Sequence, residues 1–243
     1  MTKERIAAIV LGAGKGSRMK SDLPKVMMPV KGKSMIKRII ETLEQLPADE
    51  IVTVIAPDGQ IVAKEVAPYK TSIQYKQLGT GNAVLAAKEH LNKFDGSVVM
   101  IFGDTPIVTA ETVKKAVQKR LEGNYAVVVV GIRPETCPPH GRLVMKGDKL
   151  EKIVEFKDAT DEERKINFLN SGMMIFDGRV LFDLLEQIGN NNVAGEYYLT
   201  DVVEIAIKNG FSCSTIEANP EEVASANTLE ELAQLETYLD KRK

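Results

Sequence analysis

The run Ile6-Ala7-Ala8-Ile9-Val10-Leu11, followed by Gly12, Gly14 and Gly16, constrains this chain more than any other feature. An unbroken apolar segment of strand length reads as a parallel strand buried on both faces. Glycines at alternate positions then let the backbone turn sharply and bring its amides close to an anion. Arg18 and Lys25 add permanent positive charge beside that turn. The spacing matches neither the P-loop nor the dinucleotide fingerprint. It points to a polyphosphate ligand, although in isolation it also fits a tight strand-to-helix connection.

Apolar runs at 51–56, 97–102, 125–130 and 172–176 read as further strands, several rich in β-branched residues. The segments 34–46, 110–121, 179–188 and 198–208 carry apolar residues at helical spacing, as in Met35, Ile36, Ile39, Ile40 and Leu43. This alternation predicts an α/β fold with a doubly wound, mainly parallel sheet. Ligands in such sheets bind beyond the carboxyl ends of the strands, where both the glycine loop and Gly103-Asp104 fall. The chain reads as one domain over 1–243. The looser stretch at about 134–170, with Pro138-Pro139, Gly141 and Gly147-Asp148, reads as a small insertion facing the nucleotide loop. A C-terminal helix is expected at about 228–243, its Leu229, Leu232, Leu235 and Leu239 forming a packing stripe.

Composition removes several function classes. A formal charge of -2 offers no broad basic field, so positive charge must act locally on a small anion and not on nucleic acid. Cys137 and Cys213 give no metal spacing, and His90 and His140 are too few for a histidine zinc site. The short apolar run after the N-terminus fits neither a signal peptide nor a membrane span, and a cytoplasmic location is expected.

Within Gln74 to Ala83, Thr80 is a plausible N-cap that would expose the amides of a helix running on through 84–90, and the amides of Gln74 and Gln77 suit a base edge. A capped helix after a glycine turn fits the same residues. Asp104, at the end of the apolar run 98–102, offers an oxygen for Mg²⁺, or is a turn aspartate before Pro106. Gly141-Arg142, an extended segment placing Glu155 and Lys157 on one side, and Asn170-Ser171-Gly172 suit a polyhydroxyl ligand.

Together these pieces resemble the signature of sugar-nucleotide pyrophosphorylases. Leu-Gly-Ala-Gly-Lys-Gly-Ser-Arg-Met is followed in order by Leu-Pro-Lys, Gln-Leu-Gly-Thr-Gly-Asn-Ala, Gly-Asp-Thr-Pro, His-Gly-Arg-Leu-Val, Ile-Val-Glu-Phe-Lys-Asp and Asn-Ser-Gly. Gly195-Glu196-Tyr197-Tyr198-Leu199-Thr200-Asp201 makes the chain similar to the uridylyltransferase domain of bacterial N-acetylglucosamine-1-phosphate uridylyltransferases. The resemblance implies a Rossmann-like, glycosyltransferase-A-like nucleotidyltransferase that joins UTP and N-acetylglucosamine 1-phosphate, giving UDP-N-acetylglucosamine, a cell-wall precursor, and pyrophosphate. It implies that Leu11, Gly12, Ala13 and Gly14 line the uridine and phosphate pocket, and that Gln74, Gln77, Gly79 and Thr80 read base and ribose. Phe102, Gly103 and Tyr197 would also contact substrate, and Gly141, Glu155 and Asn170 would hold the sugar. Arg18, Lys25 and Asp104 would be catalytic, with Asp104 and Asn227 binding Mg²⁺. Gly12 stands where these proteins commonly have alanine, and Ala224-Ser225-Ala226 precedes Asn227 where Gly-Val-Asn is usual. No hexapeptide repeat is present in these 243 residues, so acetyltransferase activity is not expected of them. Oligomeric state, a homo-oligomer included, stays open. A pyrophosphorylase for another sugar or nucleotide, and a non-catalytic sugar-nucleotide sensor, are the rival readings.

Overall fold

The structure is a computed structural model. It describes every residue except 1–3, 15, 17, 18, 20, 22, 242 and 243. The strands are β1 (Ile6–Leu11), β2 (Pro29–Val30), β3 (Lys33–Ser34), β4 (Ala48–Ile55), β5 (Lys70–Ile73), β6 (Ser97–Phe102), β7 (Val127–Ile132), β8 (Arg142–Lys146), β9 (Lys149–Val154), β10 (Leu169–Asp177) and β11 (Cys213–Glu217). The main sheet runs in the order β11-β7-β10-β6-β1-β4-β5, with β8 and β9 attached beside β10, while β2 and β3 form a separate hairpin. Pairing is parallel between β1 and β4, β1 and β6, β4 and β5, and β7 and β11.

Only β10 opposes both of its neighbours in this path, β6 and β7. The cause is topological. The 134–168 segment lies at the carboxyl edge of the sheet, and a chain returning from that edge needs no crossover helix. The expected strands at 6–11 and 97–102 coincide with β1 and β6. The expected strand at 125–130 begins later, at Val127, because Asn124 ends the preceding helix in the left-handed conformation (φ 47°) and Tyr125 N closes it on Arg120 O at 3.0 Å. Glu155 and Lys157 do not share an extended segment: β9 stops at Val154, and Asp158 N turns back to Glu155 O at 2.9 Å.

The helices are α1 (Met35–Glu44), α2 (Gln60–Glu65), α3 (Thr80–Leu85), α4 (Lys88–Leu91), α5 (Ala110–Gly123), α6 (Asp161–Arg164), α7 (Leu181–Leu185), α8 (Val202–Lys208) and α9 (Leu229–Lys241). Because side chains alternate along a strand, β1 splits its residues between two cores. Ala7, Ile9 and Leu11 meet Val84, Leu91, Leu181 and Val203 from α3, α4, α7 and α8. Ile6, Ala8 and Val10 meet Ile36, Ile40, Val62 and Val113 from α1, α2 and α5. A third cluster holds α9 by Leu235 against Met19, Val30 and Met35, while Leu229 at the start of the expected stripe is 55% exposed.

Arg120, on α5, enters the sheet's amino-terminal edge almost fully buried, donating to Ser97 Oγ at 2.6 Å and Glu4 Oε1 at 2.7 Å, with Asp177 Oδ2 at 3.9 Å. Its removal leaves the partly buried Glu4 without its counter-charge, while Asp177 keeps Arg179 at 2.5 Å. Arg120→Met should therefore lower unfolding free energy by about 3 kcal/mol, read from urea denaturation; an unchanged midpoint would contradict this role.

Candidate active site

The parallel register of β1 and β6 sets Leu11 opposite Phe102, so both strands release their loops side by side. Gly103 N donates to Leu11 O and Gly12 N to Val54 O, each at 2.8 Å, which extends the sheet pairing just into the loops. Beyond it lies a crevice of about 420 Å³ lined by Leu11, Ala13, Gly14, Gly16, Lys25, Gln74, Gln77, Gly79, Thr80, Phe102, Asp104, Glu196 and Asn227, among others. Gly16 has φ +59°, and a Cβ there would stand 2.4 Å from Lys25 Cβ, so the loop crosses Lys25 only because this residue has no side chain.

Lys25 opens a short 3₁₀ turn behind Pro24. Its ammonium donates to Asp104 Oδ2 and, at 2.5 Å, to Asn227 Oδ1. A loop after β6 and the approach to α9 thus meet at one lysine across the crevice. The Lys25 side chain is 11% exposed and that of Asp104 is 19% exposed. One carboxylate oxygen and one amide oxygen converging on a cationic group suit a hard divalent ion, with the remaining positions left to water or phosphate. Among the described residues no group of three or more His, Cys, Asp and Glu side chains forms a metal cage. Among the described lining residues, Lys25 faces the two acids Asp104 and Glu196. A polyphosphate entering here needs further positive charge.

Across the crevice, Gln77 Nε2 donates to Ala13 O at 2.6 Å and pins the glycine loop. Gln74 is buried, its Nε2 donating to Gly79 O at 3.2 Å and Asn82 Oδ1 at 3.1 Å. Gly79, at φ +117°, lies so close to the chain at Tyr197 that a Cβ would stand 2.6 Å from its carbonyl oxygen. Two bonds of 2.8 Å, Tyr197 N to Leu78 O and Gly81 N to Tyr197 O, clip these segments together. Gly79, not Thr80, is the N-cap of α3; the Thr80 hydroxyl instead accepts Leu199 N at 3.0 Å.

A second cluster adjoins the crevice through the Phe102 ring, against which Gly172 packs where a Cβ would be 2.7 Å away. Asn170 N donates to Gly141 O at 2.8 Å, and Thr200 Oγ1 donates to Glu155 Oε1 at 3.1 Å. Arg142, fully buried, fixes this corner by donating to the carbonyls of Pro138 and His140 at 2.9 and 2.8 Å and of Arg164 at 3.2 Å. Burial, reinforced by Asp201, Asp158 and Glu196, pushes the Glu155 carboxyl above its ordinary range against the lowering effect of the Thr200 bond. Burial likewise raises Asp201, beside Glu204 and Asp158. A second hollow, of about 710 Å³, opens beside Leu23, Ile61 and Tyr75, but its described lining contains no lysine or arginine to hold phosphate.

Residues 8–186 match the family model described as the MobA-like NTP transferase domain. The chain belongs to that family. It is 46% identical over its whole length to the bifunctional protein GlmU of Rhodospirillum rubrum, covering 54% of that protein. It is 43% identical to that of Paramagnetospirillum magneticum at the same coverage. The chain thus spans about half the length of these curated relatives. An inositol-1-phosphate CTP transferase from T. maritima shares the fold at a TM-score of 0.75 and 15% identity, with 97% of this chain and 95% of that one covered.

In this NTP transferase domain the crevice gathers Leu11, Ala13, Gly14, Lys25, Gln74, Gln77, Gly79, Thr80, Phe102, Asp104 and Asn227 from the sequence-derived set. Gly12 and Gly103 lie just behind it in the sheet edge, and Gly141, Glu155 and Asn170 form the adjoining cluster. Arg18 lies outside the described residues. Tyr197 packs against the core and acts here through its backbone, whereas its neighbour Glu196, missed by the sequence reading, lines the crevice. The sequence pattern Gly-Glu-Tyr-Tyr contained it, but an acid facing a phosphate pocket runs against simple charge matching.

Gly79→Ala should cost more than about 2 kcal/mol of stability, and hydrogen exchange at Tyr197 N should lose protection. Retained protection would contradict the clip. For Glu155, the native fold favours the protonated form. The stability this gives is complete below the ordinary carboxylate range and is lost as pH rises through the raised Glu155 value. Glu155→Gln should gain stability relative to wild type as pH is raised from about 4 to about 7; a pH-independent difference in melting temperature would refute this.

Proposed function

We propose that the protein joins UTP to N-acetylglucosamine 1-phosphate, releasing pyrophosphate, as a cytoplasmic Mg²⁺-dependent uridylyltransferase. The observation that carries this reading is the convergence of Lys25, Asp104 and Asn227 on one point of the crevice, beside the glycine loop. Family membership and the ordered sugar-nucleotide motifs support the reaction class. The Glu155, Asn170 and Gly141 corner, rich in acceptors, supports a hydroxyl-rich second substrate beside the nucleotide.

The reaction needs no general base, because a sugar phosphate is already anionic and nucleophilic at neutral pH. Its oxygen forms a bond to the α-phosphorus of UTP while the bond to the pyrophosphate oxygen breaks in line. The obstacle is bringing two polyanions together, which calls for positioning and charge neutralisation. Mg²⁺ held by Asp104 and Asn227 would supply Lewis-acid charge at the phosphates when bound. Lys25 and Arg18 offset phosphate charge, the amides of Ala13 and Gly14 approach the nucleotide, and Gln74 and Gln77 orient the base. Gln74 presents its carbonyl oxygen, since its amide hydrogens are engaged by Gly79 and Asn82. Glu155 and Asn170 position the sugar hydroxyls, and the Phe102 ring separates the two subsites.

Pyrophosphate release measured with four nucleoside triphosphates against several sugar 1-phosphates should favour UTP with the N-acetylated sugar. Asp104→Ala should retain its circular dichroism spectrum and lose rate by about a hundred- to a thousandfold. Preference for another pair would reassign the substrate, full activity of Asp104→Ala would remove the metal assignment, and no turnover with any pair would indicate a sensor.

A further inference from the structure

The Lys25 ammonium lies where an ion held by Asp104 and Asn227 would lie. Its Nζ bonds Asp104 Oδ2 and stands 2.5 Å from Asn227 Oδ1, whereas Mg²⁺ takes its oxygens at about 2.0–2.1 Å. A point within reach of both oxygens is already filled by a positive charge, and like charges at such a distance repel strongly. Resting on the reading of Asp104 and Asn227 as metal ligands, we propose that Lys25 is the resting occupant of the metal position and that the divalent ion enters by displacing it.

The surroundings suit an exchange. Asp104 is mostly buried, and a buried carboxylate without a counter-charge is costly, so the lysine keeps that oxygen countered until the ion arrives. The Lys25 backbone is fixed by the 3₁₀ turn and by Gly16 lying against its Cβ. Its four-carbon stem is flexible, so the ammonium can leave without disturbing the loop. Once displaced it remains on the crevice wall beside Gly14 and Gly16, where the phosphates would lie. Ion entry and lysine release then become one event, and the ammonium reaches the phosphates only in the metal-loaded protein. Lys25 is thereby both a phosphate ligand and a placeholder.

Binding of Mn²⁺ to the nucleotide-free protein, followed by the electron paramagnetic resonance of the free ion, tests this. Lys25→Met should bind Mn²⁺ at least about tenfold more tightly than wild type, since a like charge has been removed from the site. Adding Asp104→Ala to that variant should abolish the gain. If Lys25→Met binds no more tightly while Asp104→Ala alone loses binding, the ligands stand and the exchange is wrong. If Asp104→Ala alone binds like wild type, the ligand reading fails and the exchange with it. A measurement on the unaltered chain guards against a misfolded variant. The Lys25 ¹⁵N-ammonium resonance should shift when Mg²⁺ and UTP are added together, and a resonance unmoved at saturation would overturn the proposal.

Discussion

Parallel pairing of β1 with β6 is the constraint on which the site depends. It fixes Leu11 and Phe102 as neighbours at the carboxyl edge, so that the glycine loop and the Asp104 loop leave the sheet together. Every later feature is placed relative to that edge. Gly16 lets the first loop fold over Lys25, and the lysine then reaches the Asp104 loop and Asn227. A slip of one residue in this register would turn the side chains of β1 to the opposite core and separate the two loops.

The electrostatics follow from the same edge. The described lining of the crevice carries two acids, Asp104 and Glu196, against Lys25, although its expected ligand is a polyanion. Carboxylates are useful here only if cations arrive with the ligand, which is the logic of a magnesium nucleotide site. The adjoining corner has a different character. There burial pushes Glu155 and Asp201 up, reinforced at Glu155 by Asp201, Asp158 and Glu196 and at Asp201 by Glu204 and Asp158. Acids that resist ionisation, placed among hydroxyl and backbone groups, suit hydrogen bonding to a polyol better than charge pairing. On the proposed reading, phosphate chemistry and sugar recognition would occupy neighbouring environments, joined at Phe102.

The two central strands were legible in the sequence because each carries an unbroken apolar run, six residues in β1 and five in β6, bounded by a sharp loop, a pattern that burial on both faces imposes. The edge strands β5 and β11 and the hairpin β8–β9 were not, because half-exposed strands mix polar and apolar residues and carry little signal. Nor does hydrophobic pattern encode direction, so the reversal of β10 needed the fold. At the site, Lys25, Asp104 and Gln77 stood out by residue type and position. Asn227 was reached through family resemblance, since a lone asparagine after three small residues has no local signature. The Thr80 cap failed because Gly79 adopts a backbone conformation that lets it take the capping position, and the hydroxyl found a partner 119 residues away at Leu199. Gly141-Arg142 reads as a close-approach backbone, and the buried Arg142 side chain donates to the carbonyls of Pro138, His140 and Arg164.

The central claim is that one crevice holds the triphosphate and the divalent ion together, at the oxygens now bridged by Lys25. An anomalous difference map from crystals grown with Mn²⁺ and UTP tests it most directly. The account predicts a manganese peak between Asp104 and Asn227 with nucleotide phosphates along the glycine loop. A peak elsewhere, or nucleotide lodged outside the crevice, would contradict it.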